Sequence, residues 1–266
     1  MFGENATLGG TVACGFSGPR RPYAGAVRDF VLGVKCVNGK GEPLSFGGQV
    51  IKNVAGYDIS RLMTGALGTL GVLCEISLKV LPKSEAEITV VQELNECAAH
   101  KKMIQLSGMP LPLSAMSFSS GRFRIRLSGT ENAVRAAKSE IGGELQDDGK
   151  EYWRLLREHQ LDFFSRNQPL WRQSVPPTTQ VENLGGDCLI DWGGALRWIY
   201  TDDSELSMFE KTKQSSGHAT MFRASDAWPN DRFSRLDDAA MKIHKGLKSA
   251  FDPAGILNPG IMYSDL

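Results

Sequence analysis

Fifteen of the 29 glycines in this 266-residue chain fall between Gly3 and Gly71, a density roughly three times the ~7% of ordinary globular chains. Each glycine inside a helix or strand costs about 0.5–1 kcal/mol relative to alanine, so this stretch is built for tight turns or for main chain pressed against a neighbour. Two clusters stand out. Ala6-Thr7-Leu8-Gly9-Gly10-Thr11-Val12-Ala13 places two side-chain-free residues where backbone turns tightly or meets a flat or phosphorylated ligand. A glycine turn between strands is the plain alternative. Thr64-Gly65-Ala66-Leu67-Gly68-Thr69-Leu70-Gly71-Val72 spaces glycines three apart, which suits neither an ordinary helix nor an ordinary strand and favours a backbone contact site. It is not a Rossmann fingerprint: no suitable strand precedes the first glycine and no helical pattern follows the last.

Beyond Gly71 the composition is unexceptional, and the strand-like run Leu73 to Leu81 stops at Pro82. The boundary is therefore set near Leu81-Pro82-Lys83, dividing the chain into domains 1–83 and 84–266. With 41% hydrophobic residues the chain can bury a sizeable core. Its 30 basic and 30 acidic residues balance, which gives no electrostatic footprint for nucleic acid or an anionic membrane. Cys14, Cys36, Cys74, Cys97 and Cys188 are scattered and odd in number, against a disulfide framework or a zinc site. No apolar run approaches the ~18 residues of a membrane span, so the expected location is the cytoplasm, with membrane association only through a partner subunit.

The fold class expected is α+β. Phe30 to Val37, the turn Asn38-Gly39-Lys40-Gly41 and Leu44 to Phe46 read as a hairpin. Arg122 to Ser128 alternates strictly, with Phe123, Ile125 and Leu127 on one face and a solvated arginine stripe, Arg122, Arg124 and Arg126, on the other. A helix follows, capped by Thr130 and ended by Gly142-Gly143. Tyr152 to Phe164 is expected to be one amphipathic helix. Asp187 to Trp192 and Leu196 to Tyr200 read as strands joined by a two-residue Gly193-Gly194 turn. Asp202 to Lys213 and Ser234 to Ala250 read as helices, the second capped by Ser234. The second domain is thus expected to be a sheet with helices on one side.

Ala6 to Glu42, followed by Lys52 to Pro82, resembles the second half of the PCMH-type FAD-binding domain of the vanillyl-alcohol oxidase superfamily. Lys52-Asn53-Val54-Ala55-Gly56-Tyr57-Asp58 and Gly18-Pro19-Arg20-Arg21-Pro22 narrow the resemblance to the E subunits of glycolate oxidase. Phe251-Asp252-Pro253-Ala254-Gly255-Ile256-Leu257-Asn258-Pro259-Gly260 resembles that family's C-terminal signature, which brings residues 251–266 back to the flavin. The resemblance implies that Gly9, Gly10, Thr11 and Val12 line FAD through backbone groups and that Gly15, Ser17 and Gly18 continue the wall. It implies that Gly56, Tyr57 and Asp58 lead into Gly65, Gly68, Thr69, Gly71 and Val72 around the adenine end, and that Asn258 lies near the isoalloxazine ring.

The reaction implied is hydride removal from a small 2-hydroxy acid to flavin, which needs a base for the hydroxyl and a cation for the carboxylate. Arg20, Arg21 and Arg28 are the cations nearest the flavin loops in sequence; exposed arginines more often solvate a face. His100, His159, His218 and His244 show no metal-ligand spacing, and the catalytic base stays unassigned. The partners implied are a larger FAD-containing glycolate oxidase subunit and an iron–sulfur subunit. The resemblance places a glycine-rich pyrophosphate loop upstream of ATLGG, where this sequence starts, so the expectation is weak FAD binding by the chain alone. A non-catalytic, complex-stabilising subunit that no longer binds FAD is the alternative.

Overall fold

The structure, a computed structural model, describes residues 5–48, 57–181, 187–201, 204–224 and 232–266. In chain order, α1 (Leu8–Ala13), α2 (Arg21–Ala24) and α3 (Val27–Phe30) precede β1 (Val31–Val37), β2 (Pro43–Gly47), α4 (Ile59–Met63) and β3 (Val72–Leu78). Then come β4 (Ala86–Glu93), α5 (Glu96–Ser107), β5 (Leu113–Ser119), β6 (Arg122–Gly129), α6 (Glu131–Ile141), β7 (Glu144–Leu145) and α7 (Gly149–Glu158). The chain ends with β8 (Leu170–Ser174), β9 (Asp187–Asp191), β10 (Leu196–Tyr200), α8 (Glu205–Gln214), β11 (His218–Arg223) and α9 (Asp238–Phe251).

Two compact units form. Among the described residues, one, the glycine-rich unit, comprises 5–17, 25–48, 57–82 and 235–266; the other, the sheet unit, comprises 18–24 and those within 83–234. Two segments depart from the expected 1–83 and 84–266 division. Residues 18–24 pack with the sheet unit because Tyr23 joins its core and the Gly18 carbonyl accepts from Trp192 Nε1 at 3.1 Å. Residues 235–266 belong with the glycine-rich unit because Leu247 and Phe251 of α9 pack on its core.

In the glycine-rich unit, β2-β1-β3 form an antiparallel sheet. The hairpin follows from its turn: Asn38 Oδ1 accepts from the amides of Lys40 and Glu42, both at 3.0 Å, closing the chain on itself. Val31, Val34 and Cys36 of β1 are buried with Val12 of α1 and Met63 of α4.

The sheet unit is an eight-stranded antiparallel sheet in the order β11-β8-β10-β9-β5-β6-β4-β7. Helices cover both faces rather than the one expected. Phe123, Ile125 and Leu127 face α5 and α6, burying Met103, Leu106, Val134 and Ala137. Period-two alternation turns Arg124 and Arg126 to the opposite face, and there α7 lies over them. The solvated arginine stripe is therefore corrected: Arg124 and Arg126 are each only 8% exposed, stacked at 4.1 Å on Tyr152 and 5.1 Å on Trp153, and only Arg122 reaches solvent.

Three further expectations change. The helix over Tyr152 to Phe164 ends at Glu158, because His159 turns left-handed (φ 56°) and stacks its imidazole 4.1 Å from Phe164. The turn between β9 and β10 is the four-residue Trp192–Ala195, not two residues, with Asp191 pairing Leu196 across its base. Asp237 rather than Ser234 caps α9, its Oδ1 accepting from Ala240 N at 2.7 Å; Ser234 instead bonds both backbone groups of Ala219. α8 starts at Glu205 behind a Ser204 cap, and positions 202 and 203 lie outside the described residues.

Candidate functional site

The two glycine clusters meet in the glycine-rich unit. Thr7 is extended and its Oγ1 accepts from Gly10 N at 3.0 Å, so Leu8–Ala13 winds into a short helix, not a turn between strands. The carbonyls at the end of α1 need donors, and the second cluster supplies them: Gly65 N donates to Val12 O at 3.0 Å and Leu67 N to Ala13 O at 2.8 Å. Gly15, at φ +65°, closes the junction, since a Cβ there would stand 3.0 Å from the Gly65 α-carbon.

A C-terminal loop clamps the same place. Asn258 Nδ2 donates to Leu67 O at 2.7 Å, and a Cβ on Gly68 (φ +71°) would come within 2.9 Å of that nitrogen. Lys248 Nζ donates to Thr69 O at 3.0 Å, Leu257 O at 2.6 Å and Asp252 Oδ2 at 2.7 Å. Asp252 in turn accepts from Ile256 N and Leu257 N. Burial alone would raise the Asp252 pKa, but Lys248 and these two amides outweigh it and hold the carboxyl below its ordinary range. Sequence reasoning missed Lys248 and Asp252; their i,i+4 spacing was the available signal.

The predicted site residues thus sort by what they touch. Val12 is buried, Thr69 Oγ1 donates to Ala66 O at 2.7 Å, and a Cβ on Gly71 would come within 3.1 Å of Val37 O. Asp58 caps α4 by accepting from Arg61 N at 3.0 Å, and Ser17 Oγ accepts from Val27 N at 3.0 Å. Gly18 belongs to the sheet unit, and Gly56, with the rest of Lys52–Gly56, lies outside the described residues. Left open are Gly10 of α1, Val72 (56% exposed) and Tyr57 (93% exposed), while Gly9 and Thr11 are half-buried. α1 lies along β3, with Leu73 O 3.7 Å from a Cβ on Gly9, while Leu8, Gly10 and Val72 are exposed.

FAD needs more room than this arrangement encloses. The cavity bordered by Thr64, Gly65, Thr69, Leu70 and Lys248 is about 130 Å³, below the ~300–1,000 Å³ of small-molecule pockets. A dinucleotide does not enter it. The main chain exposed at Gly10 leaves a flat or phosphorylated ligand the surface rather than this cavity, with the second cluster bonded to the end of α1.

No family model matches the chain. It is 45% identical over its whole length to glycolate oxidase subunit GlcE of Escherichia coli strain K12, spanning 74% of that subunit. It is 24% identical over 98% of its length to an uncharacterized FAD-linked oxidoreductase of Mycobacterium tuberculosis, spanning 70% of that protein. A third of the chain is 38% identical to glycolate oxidase subunit GlcD of Bacillus subtilis. Among solved structures, an alkyldihydroxyacetonephosphate synthase superposes with a TM-score of 0.61 over 96% of this chain and 57% of its own, at 14% identity, which establishes the shared fold.

Fold and relatives together define the class: FAD-linked oxidoreductases built from a glycine-rich unit and a large antiparallel sheet. Within it, the chain belongs to the glycolate oxidase subunit GlcE family. Among the described residues no helix is long and apolar enough to cross a membrane.

Proposed function

We propose that this chain is the FAD-binding subunit of a glycolate-oxidising complex, supporting oxidation of glycolate or a related 2-hydroxy acid to the 2-oxo acid with electrons passed through flavin. The observation that supports it most is the 45% identity to GlcE along the whole chain. In this reading the main chain of Gly9, Gly10 and Thr11 lies along the cofactor, Val72 and Tyr57 meet its adenine end, and Gly15, Gly65, Gly68, Thr69, Gly71 and Asn258 set the shape of that surface. Bound FAD supplies the hydride acceptor; the chain's own part is to bind and orient it. The partners proposed are a larger FAD-containing subunit and an iron–sulfur subunit, in the cytoplasm, any membrane being met through them.

A second reading is a complex-stabilising subunit without flavin. It is favoured by the packing of Gly15, Gly65, Gly68 and Gly71 on their own chain, since the fold itself then requires those glycines. One experiment separates the two. The purified chain is mixed with FAD and passed through gel filtration while the visible flavin absorbance is recorded. Weak retention of flavin by the protein, seen with excess FAD in the running buffer and lost in a Gly10→Val variant, is expected. Flavin eluting free, with the chain still captured by its partner subunits, establishes the second reading instead.

A further inference from the structure

Two cysteines oppose each other across the glycine-rich sheet. Along β1 and β3 the pairs Gly33–Ser77, Val34–Ile76 and Lys35–Glu75 keep one register, and Cys36–Leu73 and Val37–Val72 keep another. Cys74 is the residue left over, so it and Leu73 together oppose Cys36, the arrangement of a β-bulge. Side chains alternate along a strand. Glu75 meets Lys35 through a 2.9 Å ion pair on one face, while Ile76 and Leu78 pack with Cys36 into the core on the other. One step back from Glu75, Cys74 falls on the Cys36 face. Its Sγ donates to Val72 O at 3.5 Å, which turns the thiol back along β3 toward the level of Cys36.

The two thiols differ in access. Cys36 is 2% exposed, whereas Cys74 is open to solvent. They also sense each other: burial, then Cys74, raise the Cys36 pKa. A disulfide spans α-carbons about 4.4–6.8 Å apart, and residues opposed across antiparallel strands stand about 4.5–5.5 Å apart, so the bulge sets this pair at bridging range. The second glycine cluster adjoins it, since a Cβ on Gly71 would stand 3.7 Å from Cys36 Sγ. Cys14, also in this unit, lies outside the sheet at the end of α1.

We propose that Cys36 and Cys74 form a redox-sensitive staple between β1 and β3, closed by hydrogen peroxide and opened by thiols. Exposure makes Cys74 the thiol that reacts first. Its thiolate attacks one peroxide oxygen, the O–O bond breaks, and Cys74 becomes a sulfenic acid as water leaves. Cys36 then attacks that sulfur: the S–S bond forms, the S–O bond breaks, and the hydroxide departs with the Cys36 proton as a second water. Two thiols are oxidised by two electrons in all, and one peroxide is reduced to two waters. The closed bond fixes the bulge directly beside Val72.

The test is peptide mapping of the full chain by mass spectrometry, after treatment with hydrogen peroxide and alkylation of the remaining thiols. A peptide pair linked through Cys36 and Cys74, lighter by two hydrogens and released by dithiothreitol, is expected. Cys74→Ser changes an exposed position, so the variant should fold, and its Cys36 should still be alkylated after peroxide. Cys74 oxidised while Cys36 remains alkylated, a bond from either residue to Cys14 or to a second molecule, or loss of the Cys36 thiol in Cys74→Ser overturns the proposal. Flavin plays no part in this readout.

Discussion

Gly15 and Gly65 touch main chain to main chain: a Cβ on the first would stand 3.0 Å from the α-carbon of the second, and Gly65 N is tied to Val12 O at 3.0 Å. Neither backbone can retreat without breaking the bonds that finish α1. Gly15 also holds φ +65°, which L side chains rarely adopt. Gly15→Ala is therefore expected to destabilise the chain by about 1–3 kcal/mol, read as a lower urea midpoint at unchanged slope. A stability equal to the parent's means that the junction is not as tight as this.

The arginine stripe gives a contrast within one strand. Arg126 donates Nε to Ser114 Oγ at 2.9 Å and Nη2 to Ser114 O at 3.2 Å beneath Trp153, whereas Arg122 is exposed. Arg126→Ala removes both bonds and the packed stem and should cost about 2–4 kcal/mol. Arg122→Ala should stay within about 0.5 kcal/mol. Parallel denaturant titrations of the two variants check this, and equal effects mean that both arginines are solvated.

These two cases mark what could be read from the chain and what could not. Local rules sufficed for the hairpin at Asn38, whose side chain closes its own turn, and for α6, where the Thr130 cap and the spacing of Val134, Ala137 and Ile141 agree. Alternation in β6 correctly separated two faces. It could not tell that Tyr152 and Trp153, more than twenty residues downstream, would cover the charged one. The glycine clusters were legible as backbone contacts, but not that much of the second meets the chain itself, since residues 15 and 65 are joined only by folding.

Lys248 and Asp252 make a buried pair, with the Asp252 side chain 0% exposed and Nζ shared among three acceptors. Removing the cation strands a carboxylate away from water, a loss of about 3–5 kcal/mol in buried pairs. Lys248→Met is expected to lower stability by that order and to free the C-terminal loop, seen as faster amide exchange at Leu257. Adding Asp252→Asn should recover part of the loss, because the stranded charge is gone. A double variant no more stable than Lys248→Met argues that the three carbonyl and carboxylate contacts, not the charge, matter.

Two buried groups of the sheet unit set opposing pH slopes. Burial among Phe164, Trp198 and Phe222 drives the His159 pKa from 6.5 to about 3. Its contribution is present above pH 6.5 and is lost as pH falls toward 3, since the unfolded chain takes up a proton that the folded one refuses. Burial raises Asp191 from 3.8 to about 7, against the opposing pull of the Trp192 amide and Arg126. Its contribution is full below pH 3.8 and is lost as pH rises through about 7. Between pH 3.8 and 6.5 the two slopes, each at most about 1.4 kcal/mol per pH unit, offset each other. The parent is therefore expected to show a shallow dependence there. Asp191→Asn should lose stability as the medium is acidified, and His159→Asn, which tolerates the left-handed backbone, should gain it. Urea titrations at intervals across that window check the signs; two variants that slope the same way rule out the assignment of these groups.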